Sequence, residues 1–134
     1  MTAWVAIVTV LVLLFYVWTA VTVGRGRGKY AIAAPAMTGH PEFERAVRVQ
    51  SNTLEWMVVF LPSMWMFAAY VQPTIAACLG LIWIGGRVLY ARGYMQDPKN
   101  RSTGFMVQMA ATAIALFGAL IGAIWTVVVG GAGA

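Results

Sequence analysis

The chain has 134 residues, of which 61% are hydrophobic and only 10% charged. Soluble domains carry about 25% charged residues, so an ordinary water-soluble fold is excluded. Nine lysines and arginines against four acidic residues leave a net charge of +5. These charges are confined between apolar stretches, which argues against the nucleic-acid partner that such a balance suggests in a soluble protein. One cysteine, Cys78, admits neither an internal disulfide nor a cysteine-based metal or redox motif.

Hydrocarbon is crossed by about 20 apolar residues in a helix. Four stretches approach that length, at about residues 3–23, 45–71, 74–94 and 104–129, within a single domain covering 1–134. The fold class they predict is an all-α membrane protein, a four-helix transmembrane bundle. The first stretch is too long for a signal peptide and has no positive residue before it, so it is expected to remain in the mature protein. Trp4, Trp18 and Tyr70 fall at span ends, where aromatic belts form. After it, Gly24-Arg25-Gly26-Arg27-Gly28-Lys29 lacks the spacing of a phosphate-binding loop and reads as a flexible link.

The segment His40-Pro41-Glu42-Phe43-Glu44-Arg45 is a helix start, with proline in the first turn and carboxylates near the positive end of the dipole. Beyond it, Arg45, Arg48, Asn52 and Glu55 recur at three and four residues and share a face that descends toward the bilayer. Gln50 points about 200° away from Arg48 at 100° per residue. Glu55 borders an apolar run, where a carboxylate costs about 2.5 to 3.5 kcal/mol and marks a candidate site. A purely structural role, pairing with Asn52 or a basic neighbour, is the competing reading. Pro62 removes a backbone hydrogen bond and predicts a kink.

Arg87, Tyr90 and Tyr94 again share one face. Past the break at Asp97-Pro98, Arg101 begins the last helix. Two phenols and two guanidiniums converging there supply donors for carboxylates or a thiolate, and the planar guanidinium can grip a carboxylate at two points. His40 has no second histidine or cysteine nearby, so no metal site is expected.

The basic residues follow the first span and surround the link between the third and fourth. The positive-inside rule places both segments in the cytoplasm and both termini on the other side of the membrane. An integral, multi-pass protein with its charged loops and active site toward the cytoplasm is therefore expected.

The run from Pro41 to Trp56, the run Gly86 to Tyr94 and the segment Lys99-Asn100-Arg101-Ser102-Thr103-Gly104-Phe105 together resemble the signature of the membrane-associated proteins in eicosanoid and glutathione metabolism, the MAPEG family. The resemblance implies a homotrimer that binds glutathione between subunits as co-substrate, with no metal. By position, Arg48, Asn52, Glu55, Tyr90 and Tyr94 would hold the tripeptide from one subunit, and Arg27 and Gln50 would approach from the next. Arg101 resembles the family's thiolate-stabilising arginine. Trp56 stands where a leukotriene-forming member has tyrosine, so it would keep stacking and lose a hydroxyl. Gly28 replaces an arginine used there toward a lipid epoxide, which favours a general detoxifying transferase over leukotriene synthesis.

The implied activity is conjugation of the glutathione thiolate to lipophilic electrophiles arriving from the bilayer, with reduction of lipid hydroperoxides as a side activity. The alternative is a non-catalytic lipid-binding or scaffold member. A channel or transporter subunit is disfavoured because the middles of the spans are apolar.

Overall fold

In a computed structural model the described residues, 3–130, form four α-helices. These are α1 (Ala3–Tyr30), α2 (Pro41–Tyr70), α3 (Pro73–Gln96) and α4 (Ser102–Gly130), with one 3-10 turn, Pro98–Arg101, before the last. α1, α3 and the continuous 3-10 turn plus α4 are long and apolar enough to cross a membrane. α2 falls short of that mark by composition. Its first half carries the polar stripe, and its 30 residues extend about 45 Å, well beyond the roughly 30 Å of hydrocarbon.

Turn chemistry sets the helix limits. The His40 Nδ1 accepts from the Glu42 N–H at 3.2 Å, ahead of Pro41 at the first helical position. Gln72 caps α3 in the same way, its Oε1 accepting from the Ile75 N–H at 2.7 Å before Pro73. Proline there gives up only an N–H that would lack an intrahelical partner. Between α2 and α3, the N–H groups of Val71 and Gln72 both donate to the Phe67 carbonyl, at 2.8 and 3.1 Å. α2 continues without interruption through Pro62.

The glycine-rich segment after the first span is helical, not the flexible link expected, since α1 runs to Tyr30. A contact remote in sequence holds it. Phe43 of α2 is buried with Val23 and Ala46, and Tyr30, Ile32 and Met95 pack on this cluster. The Arg27 guanidinium lies 5.1 Å from the Phe43 ring centroid. His40 stacks on Tyr30 at 3.7 Å, which gives that histidine a structural use.

α1 terminates at Ala31, whose φ is +53°, while the Ile32 N–H returns to the Arg27 carbonyl at 3.0 Å. Left-handed backbone costs a residue with a Cβ about 1–2 kcal/mol, which is why glycine usually fills this position. Ala31→Gly is expected to raise the unfolding free energy by about 0.5–1 kcal/mol after the added unfolded-state entropy is counted. Chemical denaturation in detergent checks it, and a loss of stability would contradict the assignment.

The helices share one apolar core. Val5, Val8 and Val12 of α1 meet Met57, Phe60 and Met64 of α2, Trp83 of α3, and Ala111 and Ala115 of α4. Phe60 and Trp83 stack with centroids 5.1 Å apart. Outward-facing side chains such as Leu14, Val58, Ile121 and Val128 are apolar and exposed, as lipid contact requires. α3 and α4 make the closest crossing. A Cβ on Gly86 would sit 2.7 Å from the Gln108 nitrogen, and one on Gly104 would sit 2.1 Å from the Tyr90 nitrogen. Small residues at both points let the two backbones touch, as in many membrane helix pairs.

Candidate functional site

At the end of the bundle where α2 and α4 begin and α3 ends, a cavity of about 340 Å³ opens. Arg48 and Asn52 of α2, Tyr90 and Tyr94 of α3, and Arg101 and Phe105 at the start of α4 line it. The glycine crossing explains this convergence, because Gly104 against Tyr90 brings the first turn of α4 onto the last turns of α3. Tyr90 and Tyr94 stack, with ring centroids 5.7 Å apart. Phe105 tilts against Tyr90 at 6.2 Å and receives Trp56 edge-on at 5.7 Å. Two guanidiniums and an amide therefore stand on an aromatic wall.

Arg101 is exposed and spends one N–H on the Pro98 carbonyl at 3.0 Å, leaving its other donors free. Behind the cavity, Arg87 is completely buried. Its Nη1 donates to Asn52 Oδ1 at 2.8 Å and its Nη2 to Thr53 Oγ1 at 2.7 Å. The guanidinium carbon lies 4.3 Å from the Tyr90 ring centroid.

The other residues singled out in the sequence stand elsewhere in the single chain. Glu55 is exposed and does not line the cavity. Trp56 reaches the site through Phe105. Arg27 donates to the Ala36 carbonyl at 2.7 Å and packs over Phe43. Gln50 does face away from the stripe, its Nε2 lying 3.4 Å from the Tyr16 hydroxyl of α1. The stripe also loses its first member. Arg45 donates to the carbonyls of Met95 and Gln96, at 3.2 and 3.1 Å, because the last carbonyls of α3 form the negative end of a helix dipole.

Sequence reasoning placed Arg87 on the right face and counted it among the converging donors, whereas it stands behind the cavity, and it gave Thr53 and Phe105 no role of their own. An arginine deep in an apolar helix was the available signal. Away from the cavity, Glu42 accepts from the Tyr30 hydroxyl and pairs with Lys29 at 3.7 Å. The Tyr30 hydrogen bond and then the Lys29 charge hold its carboxyl below the ordinary range. Among the described residues no group of three His, Cys, Asp or Glu side chains is placed to hold a metal ion.

Lipid-facing apolar sides with a cationic, aromatic-walled cavity at the charged end define an all-α integral membrane protein. The model of the MAPEG family matches residues 5–121, and the chain belongs to that family. It is 46% identical to an uncharacterized protein of Synechocystis over 91% of this chain and 89% of that one. It is 44% identical to human microsomal glutathione S-transferase 2 over 75% of this chain and 69% of that protein. With leukotriene C4 synthase of Cavia porcellus it shares 34% identity, over 74% of this chain and 66% of the synthase. The alignment thus spans about two-thirds of the length of those two relatives.

Proposed function

We propose that the chain is a membrane-bound glutathione transferase that joins the glutathione thiolate to lipophilic electrophiles. The observation that carries this reading is the grouping of Arg48, Asn52, Tyr90, Tyr94 and Arg101 around one cavity. The names of the transferase and synthase relatives support it.

Glutathione brings two carboxylates, an ammonium and a thiol. In this reading Arg48 binds a carboxylate, and the Asn52 amide and the two tyrosine hydroxyls fix the peptide. Arg101 faces the sulfur. The protein assembles as a homotrimer. The outward-facing Glu55 then meets the ammonium of a ligand lying along α2, and Arg27 and Gln50 approach from the neighbouring subunit. The cavity lies at the cytoplasmic face and both termini on the opposite side, an orientation that the distribution of basic residues supports.

The nucleophile is the thiolate, and a free thiol with a pKa of about 8.5 is mostly protonated at neutral pH. A guanidinium at hydrogen-bond distance favours the anion, and a shift of about two units corresponds to roughly 2.7 kcal/mol. The electrophile enters laterally from the bilayer and meets the sulfur beside Phe105. Carbon–sulfur bond formation expels the leaving group or opens an epoxide to give a thioether. With a lipid hydroperoxide, thiolate attack on the terminal oxygen cleaves the O–O bond. It yields an alcohol and a glutathione sulfenic acid, which a second glutathione converts to the disulfide and water.

Purified protein given glutathione and a dinitrophenyl halide is expected to form the thioether well above the uncatalysed rate. Tight glutathione binding without conjugation of any electrophile would instead favour a lipid-binding scaffold.

A further inference from the structure

Among the described residues the cavity wall contains no negatively charged side chain. Arg48, Arg101, Tyr90, Tyr94 and Asn52 can all donate hydrogen bonds, but an asparagine could equally turn its carbonyl toward a ligand. Its orientation is fixed from behind. Arg87 has five N–H donors and no acceptor, so only an oxygen can face it. The Asn52 Oδ1 takes that place at 2.8 Å, which turns the Asn52 NH₂ away from Arg87. Flipping the amide would set donors against donors inside a buried site.

Thr53 closes the arrangement. Its hydroxyl hydrogen goes to the Val49 carbonyl at 2.7 Å, so its oxygen is free to accept from Arg87 Nη2 at 2.7 Å. The guanidinium is thereby held by two neighbours on α2, with the Tyr90 ring at 4.3 Å. Arg87 is fully buried and forms no salt bridge among the described residues, where the single ion pair is Lys29–Glu42. Most buried arginines pair with a carboxylate, because breaking or omitting the partner is costly. Here two neutral oxygens of α2 and the face of the Tyr90 ring hold the guanidinium instead.

We propose that Arg87 is a positioning residue: it locks the Asn52 amide with its donors toward the cavity, so that the site accepts anionic and carbonyl oxygens or sulfur and rejects cationic ligands. Arg87 acts through Asn52 and does not touch the ligand. The inference rests on the glutathione-binding reading of the same cavity.

A double-mutant cycle on the purified full-length protein tests it, using Arg87→Met, Asn52→Ala and the double variant. Glutathione and its sulfonate analogue serve as probes in calorimetric titration. Each single substitution is expected to weaken binding about tenfold, and the double variant no more than twofold beyond either single one. Arg87→Lys, which keeps one donor toward Asn52, is expected to recover part of the loss and serves if Arg87→Met does not fold. A structural role for Arg87 would instead give multiplicative losses near a hundredfold, or an unchanged affinity when Arg87 is replaced. Either result overturns the positioning role and leaves the glutathione reading intact. Failure of the unsubstituted protein to bind both probes would overturn both.

Discussion

Arg101→Ala is expected to bind glutathione within a few-fold of the unsubstituted protein yet to conjugate a dinitrophenyl halide roughly 10²–10³ times more slowly at neutral pH, the usual penalty for removing a donor aimed at developing or resident anionic charge. Part of this loss is protonation. If the sulfur titrates near 6.5 beside Arg101 and near 8.5 without it, the thiolate fraction at pH 7 falls by about 25-fold. The defect should therefore shrink as pH rises through 8 to 9, where the variant's thiol ionises unaided. The exposure of Arg101 and its single internal bond, to the Pro98 carbonyl, make folding insensitive to the change. Stopped-flow measurement of conjugation from pH 6 to 9 resolves the two components. An unaltered rate at neutral pH would remove Arg101 from the mechanism.

The second large effect is structural and reaches the same site. Gly104→Ala places a Cβ 2.1 Å from the Tyr90 nitrogen and 2.6 Å from both the Gly86 oxygen and the Tyr90 Cα. Backbone atoms cannot move aside as a flexible side chain can, so α3 and α4 must separate. Overpacking of this kind costs about 3 kcal/mol. Separation also carries Arg101 and Phe105 away from Tyr90, so conjugation is expected to fall along with thermal stability. Gly28→Ala supplies the control. It is equally helical, but nothing lies within 4 Å of an added Cβ. There, alanine's better helix propensity should leave stability unchanged or raised by up to about 1 kcal/mol. Equal losses in the two variants would contradict the close crossing.

How far the sequence revealed these features depended on whether the cause was local. The helix start at Pro41 was legible because a fixed φ acts within one turn, and the structure adds the His40 side chain as its cap. The 100° periodicity placed Arg48 with Asn52, and Tyr90 with Tyr94, on shared faces. Composition also marked the membrane-spanning helices, although the polar half of α2 keeps that helix below the usual apolar mark.

What escaped was decided across helices. Glycines 24, 26 and 28 argued for a loop, and only the packing of Phe43 and Met95 shows why the helix survives there. Arg45 matched the stripe in spacing, but the free carbonyls of α3 drew it off. Arg87 looked like a cavity donor until its partner 35 residues away, Asn52, became visible. Phe105 read as one more apolar residue of a span, because nothing in its neighbours distinguishes a cavity wall from a lipid-facing position. Glu55, Arg27 and Gln50 remain outside the cavity of the single chain, which is why the proposed function assigns them to a site completed by assembly.

The central claim is that the cavity stabilises an anionic sulfur. It is tested most directly by the ultraviolet difference spectrum of the purified protein as glutathione is added at neutral pH. Thiolate absorbance is expected to rise to saturation at this pH, well below that at which free glutathione ionises, and to be lost in Arg101→Ala at equal occupancy. Saturable binding with no thiolate absorbance in the unsubstituted protein would contradict the account.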